Sequence, residues 1–210
     1  MTSRFHRETK KLNDGMPETN GADESIESAN TIRYLRDILA PGLRVVFCGI
    51  NPGLTSAVLG QHFARRGNRF WKTIHLAGFT PEEITPRDAE QILIHRCGLT
   101  TAVARPTSRA DELSRDEFLQ AAPGLSAKIA SYAPEYVAFL GKSAFAEIFG
   151  KSFVSWGPQA DLLGGSKTWV LPNPSGLNRS FRLEELIRAY TELRIVLDEH
   201  SMKDSHSGRK

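Results

Sequence analysis

Residues 45–54 read VVFCGINPGL. The run from Val45 to Ile50 is apolar apart from Gly49, and it drives straight into Asn51-Pro52-Gly53. An apolar run of this length, stopped by turn residues, reads as a strand buried on both faces over 43–50. The chain writes nearly the same phrase again as WVLPNPSGL at 169–177, so 168–173 reads as another buried strand. YVAFLG at 136–141 is a third. Asn-Pro and Pro-Gly are turn dipeptides, and each alone needs no function. Two of them at strand ends in one chain raise the question of a shared site.

The segments between the strands have helical patterns. TIRYLRDIL (31–39) predicts a short amphipathic helix ended by Pro41-Gly42. NRFWKTIHLAGF (68–79), DAEQILIHR (88–96), SRDEFLQAA (114–122), GLSAKIASYA (124–133) and KSAFAEIFG (142–150) predict further helices, and GLTTAV (98–103) a short strand. The last helix has the clearest period: Leu183, Leu186, Ile187, Tyr190, Leu193 and Leu197 share one face, with charges between them. Strands alternating with helices predict an α/β fold, a three-layer α/β/α sandwich around a largely parallel sheet. One domain is expected over 30–199. Residues 1–29, polar and without apolar periodicity, and residues 200–210 are expected to be flexible tails.

The chain has 210 residues, 40% hydrophobic and 24% charged, which suits one sizeable core rather than two. No apolar run approaches the roughly 20 residues that span a bilayer, and the N-terminus lacks the apolar stretch of a signal peptide, so a cytoplasmic protein is expected. Net charge is +3; residues 1–29 hold four Lys/Arg and six Asp/Glu, a net of −2, which leaves +5 on the remainder. That mild basic bias suits a polyanion partner without demanding one. The two cysteines, Cys48 and Cys97, are too few for a four-cysteine metal or cluster site, and Cys48 within an apolar run reads as core. His200 and His206 near the C-terminus read as solvated rather than metal-binding. No Gly-rich phosphate loop follows a strand, which argues against a small-nucleotide-binding protein.

In an open parallel sheet, ligands bind beyond the carboxyl ends of the strands, where both Asn-Pro turns should lie. After the first turn, GQHFARRGNRFWK places Arg65, Arg66, Arg69 and Lys72 among Phe63, Phe70 and Trp71. Rings beside cations suit nucleic acid, since bases stack and phosphates pair. Phe70 and Trp71 read equally as the buried face of a helix, whereas Phe63 precedes that helix in a loop near Asn51. After the second turn, Leu177 lies in a polar loop before Arg179 and Arg182. It reads either as an apolar wedge for DNA or as a side chain tucked beneath its loop.

On these motifs the chain resembles the mismatch-specific uracil-DNA glycosylases, the bacterial relatives of thymine-DNA glycosylase. The resemblance covers about 37–198: DILAPGLRVVFCGINPGLTSA, NRFWK, AGFT, RCGLT, RPT, LGK and WVLPNPSGLNR. It implies that Asn51 is the catalytic amide. The flipped base would stack on Phe63 and meet the backbone at Ile50, Gly53 and Phe63, with Ser56 beside the pyrimidine C5. Asn173 and Ser175 would line the pocket. Leu177 would fill the gap left by the base, the backbone of Gly176 and Asn178 would read the widowed guanine, and Arg179 would meet the DNA backbone. Asn178 stands where some relatives have Ser, and His62 is more polar than expected before Phe63.

The implied activity is that of a monofunctional hydrolase of base excision repair. It would release uracil, ethenocytosine and, weakly, thymine from mispairs with guanine in double-stranded DNA. No cofactor, no metal, no membrane and no obligate protein partner is implied, and a monomer is expected. The alternative from another class is a non-catalytic binder of mismatched or damaged DNA with the same fold, for which an amide at Asn51 would have no use. The iron–sulfur type of uracil glycosylase is disfavoured by the cysteine count.

Overall fold

The computed structural model describes residues 34–207, with side chains described as far as residue 200. The expected N-terminal tail lies outside the described residues. Five strands, β1 (Val45–Gly49), β2 (Cys97–Thr101), β3 (Tyr136–Leu140), β4 (Gly157–Leu163) and β5 (Ser166–Leu171), form one sheet in the order β2-β1-β3-β5-β4. All neighbouring pairs are parallel except β4 with β5, which are antiparallel. The helices are α1 (Leu54–Leu59), α2 (Phe70–Leu76), α3 (Arg115–Tyr132), α4 (Lys142–Phe149) and α5 (Leu183–Ser207), with 3₁₀ segments at Pro86–His95 and Ala110–Glu112.

Successive side chains on a strand point to opposite faces, and the two faces carry two cores. Val45 and Phe47 join Ala138, Leu140, Trp169 and Leu171 beneath α2 and α5, where Phe70, Ile74, Tyr190 and Leu193 are buried. Val46 and Cys48 join Val137, Phe139 and Val170 beneath α3 and α4, with Ile129 and Phe145. This is the expected three-layer α/β/α sandwich. Phe47 organises its face: its ring meets Phe70 and Phe79 edge-on at 5.3 Å and lies parallel to Tyr190 at 6.1 Å.

Three sequence expectations are corrected. Residues 34–39 of the supposed first helix are not helical. Ile38 instead forms an antiparallel bridge to Leu99 on β2, its N–H and C=O exchanging hydrogen bonds with Leu99, so pairing with the sheet edge overrides a helical pattern. Residues 88–96 lie largely in a 3₁₀ segment rather than an α-helix. The two helices expected on either side of Pro123 are one, α3, which runs through the proline. The last helix, α5, carries His200, whose Nε2 accepts from Lys167 Nζ at 3.2 Å while its Nδ1–H donates to Val196 O. Strand β4 and helix α1 had no counterpart in the sequence reading. Among the described residues no helix is long and apolar enough to cross a membrane.

The topology dictates where a ligand can sit. From β1 the chain moves to one side to make β2, then crosses to the other side of β1 to make β3. The loops leaving β1 and β3 therefore diverge, which opens a crevice at their carboxyl ends. Both cysteines lie away from that crevice in the sealed interior, where burial pushes each thiol up to about 12. A thiol reagent at pH 8 should leave both unmodified in the native protein and label both in denaturant. Fast native labelling of either would show that the core opens there.

Candidate active site

At the end of β1 the chain turns at Asn51-Pro52 and enters α1, with Gly53 at its N-cap. The segment after β2 runs alongside. Ala102 N–H donates to Gly49 O (2.8 Å), Val103 N–H to Ile50 O (3.0 Å) and Thr107 N–H to Pro52 O (3.1 Å). This pairing brings Thr107, which is buried, beside the first Asn-Pro turn.

The amide of Asn51 is held by two bonds. Nδ2 donates to Arg105 O at 2.8 Å and to Thr107 Oγ1 at 2.7 Å. The orientation is fixed by chemistry: a backbone carbonyl can only accept, and the Thr107 hydroxyl gives its proton to Arg109 O at 2.7 Å. The NH₂ end must face both, which leaves Oδ1 without a protein partner among the described residues. Arg105 is anchored in turn. Its guanidinium grips Glu117 through two bonds (2.5 and 3.0 Å), while Glu117 also closes the capping box of α3 with Ser114. The Arg105 hydrogen bond, helped by Ser114, holds the Glu117 carboxyl down at about 2. Glu117 therefore stays ionised and the anchor stays intact until the pH falls well below the ordinary carboxylate range.

Asn51 opens onto a cavity of about 120 Å³. Ile50, Gly53, Ser56, Phe63, Asn173, Ser175 and Leu177, all expected from the sequence, line it together with Thr107, Thr101 and Leu140. Ser56 is buried, and its Oγ accepts from Ala64 N–H at 3.2 Å, tying α1 to the loop that carries Phe63. Phe63 has φ 56°, a left-handed conformation that costs a side-chain-bearing residue about 1–2 kcal/mol. Its ring is stacked on Phe70 at 3.9 Å between centroids, which offsets that strain. The Phe63 N–H has no partner among the described residues. At the end of β3, Gly141 has φ 121°, a conformation that a side-chain-bearing residue adopts only under strain, and a Cβ there would touch Ile50 (3.4 Å) and Asn173 (3.6 Å) at ordinary contact distance.

The second Asn-Pro turn closes the far side. Asn173 Oδ1 accepts from Ser175 N–H (2.9 Å), Asn178 Nδ2 returns to Asn173 O (2.9 Å), and Asn178 N–H donates to Ser175 O (3.0 Å). Leu177 at the tip is 53% exposed, so it projects from the loop rather than tucking beneath it. Gly176, Asn178 and Arg179 do not line the cavity; Gly176 and Arg179 are exposed on the same loop, and Asn178 borders an adjoining groove with Ser143. Gly176 N–H has no partner among the described residues. Asn178 N–H is already engaged, but its carbonyl keeps a free lone pair.

The basic stretch divides. Arg65 and Arg66 are exposed and Arg65 borders the cavity, whereas Phe70 and Trp71 are core residues. Arg69 turns inward. His62 is buried and its Nε2 donates to Arg36 O at 2.8 Å; burial lowers its pKa, so the ring is neutral and structural. Thr107 and the carbonyl of Arg105 are the parts of the site that sequence reasoning missed. The RPT motif was visible, but its 56-residue separation from Asn51 carries no spacing signal.

Two similarities accord with this geometry. The structure of a candidate uracil DNA glycosylase from Methanosarcina acetivorans, determined in solution by NMR, superimposes with a TM-score of 0.53 at 22% identity, covering 78% of this chain and 98% of that one. It shares the fold. Residues 37–194, which include every element from β1 to most of α5, match the sequence pattern of the uracil DNA glycosylase superfamily. The chain belongs to the uracil DNA glycosylase superfamily.

Proposed function

We propose that the protein is a monofunctional DNA glycosylase that hydrolyses uracil and ethenocytosine, and thymine more weakly, from mispairs with guanine in duplex DNA. It acts as a cytoplasmic monomer without a cofactor. The observation that carries this reading is the Asn51 amide, clamped by its nitrogen so that Oδ1 is free at the cavity.

An amide oxygen is barely basic and cannot ionise, but it can hold a water by one of its hydrogens. Positioning of that kind contributes up to roughly 7–11 kcal/mol in the best oriented systems. It suffices where the bond breaks largely by itself. N-glycosidic cleavage meets that condition, because the sugar becomes an oxocarbenium-like cation while the base leaves as an anion. The Phe63 N–H, unpartnered among the described residues, is available to that anion as an oxyanion-hole donor. Among the described residues no lysine lines the cavity, which favours hydrolysis over a Schiff-base route to strand cleavage.

The base must first leave the duplex, at a cost of a few kcal/mol that a mispair reduces. Leu177 fills the gap. Gly176 N–H is available to the acceptor on the exposed edge of guanine, whereas Asn178 N–H is bonded to Ser175 O and Asn178 O to Arg69.

Labelled duplexes carrying uracil, ethenocytosine, thymine or hydroxymethyluracil opposite guanine or adenine test the reading. Uracil opposite guanine should yield a break only after alkali. A break before alkali would indicate a lyase, and binding without release would favour the non-catalytic binder. Asn51→Ala should keep its affinity for the mispair and lose at least roughly 10²-fold in single-turnover rate. Thr107→Val removes the hydroxyl that orients the amide at nearly constant volume. It should slow excision by about 10-fold or more without weakening DNA binding; a wild-type rate would show that Arg105 O alone positions Asn51.

A further inference from the structure

Arg69 ends the loop before α2, where its carbonyl accepts from Thr73 N–H, and every group it donates to belongs to the loop that carries Leu177. Its backbone N–H donates to Pro174 O at 3.0 Å. Its guanidinium donates to four carbonyls: Nε to Pro174 O (3.3 Å), Nη1 to Phe181 O (2.6 Å), and Nη2 to Ser175 O (3.0 Å) and Asn178 O (2.9 Å). No carboxylate pairs with it among the described residues, and the side chain is half-buried. The two loops also touch directly, since a Cβ on Gly176 would lie 2.5 Å from Gly67 O.

An arginine spent on phosphate would face solvent with free donors, as Arg65 and Arg66 do. This one spends its fork on carbonyls that no helix or strand satisfies. We infer that Arg69 is a positioning residue for DNA engagement: it gathers the carbonyl oxygens of Pro174, Ser175, Asn178 and Phe181 on the inner side of their loop. Leu177 and the Gly176 N–H are thereby left on the outer side in the shape that enters a duplex. The inference rests on the reading of Leu177 as the residue that fills the vacated base position. A planar fork with donors on three nitrogens can span carbonyls from Pro174 to Phe181; a lysine ammonium, a single point, cannot.

That difference separates a loop clamp from a phosphate contact. Affinity is measured for a duplex whose G·U pair carries 2′-fluoro-deoxyuridine, which resists hydrolysis. The proteins are wild type, Arg69→Lys and Arg69→Gln, each with and without Leu177→Ala, all checked for cooperative melting. The clamp predicts that Lys and Gln weaken binding alike, by roughly 10-fold, with an unchanged salt dependence. It also predicts that adding Leu177→Ala to either costs less than 2–3-fold more, because both changes remove the same insertion. Near-wild-type affinity for Lys with loss for Gln and a shallower salt slope would make Arg69 a phosphate contact and overturn the inference. So would full affinity in both variants, or effects that multiply with Leu177→Ala.

Uracil release is followed in parallel, opposite guanine and opposite an abasic spacer that leaves no pair to break. Arg69→Lys should lose far more on the first substrate than on the second. Equal losses on both would mean general damage to the site and would contradict the clamp. If wild type binds the mispair but releases no base, the glycosylase reading fails while the binding cycle still decides the role of Arg69. If wild type does not prefer the mispair at all, both fall.

Discussion

An amide has one end that gives hydrogens and one that receives them, and the proposed chemistry depends on which end of Asn51 meets the cavity. Two acceptors that cannot act otherwise, the Arg105 carbonyl and a Thr107 hydroxyl already committed to Arg109 O, capture the NH₂. The oxygen is then left at the cavity without a protein partner among the described residues. Each support has its own: Arg105 is fixed by Glu117, Glu117 by the capping box of α3, and Thr107 by the backbone of Pro52. The side chain assigned to the reaction is thus oriented by two loops and a helix terminus. Its geometry is set before substrate arrives, which is where positional catalysis gains its advantage.

The sheet explains why those supports meet. β1 and β3 lie side by side while their exits part, and β2 and β5 flank them. Turns from β1, β2, β3 and β5 all reach the same edge and contribute Asn51, Thr107, Gly141 and Asn173. The interior that holds the strands in register is apolar and has no part in the reaction. The polar groups of the site are confined to the edge, where the ladder ends and backbone donors become available.

Much of this was legible in the sequence because the relevant signals are local. The runs at 45–50, 136–141 and 168–173 are apolar on both faces, which only a sheet covered on both sides requires, and α5 repeats its apolar face over several turns. The two Asn-Pro turns marked the site because they sit at strand ends. What escaped has physical reasons. β4, GPQADLL, is an edge strand with an irregular register and only its ends buried, so its pattern resembles a loop. Residues 34–39 have helical spacing but meet an open strand edge, and a tertiary partner outweighs propensity. Pro123 suggests a break that packing overrides. Thr107 and Arg69 act through contacts with residues far away in the chain, and no spacing rule finds such pairs. Arg69 in particular looked like one more surface cation.

The central claim is that Asn51 positions water as a neutral amide and no side chain of the site acts as a titrating base. His62, the buried histidine beside Phe63, has its pKa lowered by burial and gives its Nε2–H to Arg36 O, so it stands as a neutral ring held in place. Its lowered pKa means that protonation, and any loss of stability with it, sets in only as pH falls below about 6.5. The direct measurement is the single-turnover rate of uracil release from a G·U duplex, with enzyme saturating, from pH 6 to 9. A profile flat to within about 2-fold is predicted. A rate that falls 10-fold per pH unit on the acid side of a midpoint within that range would identify a general base and contradict the account.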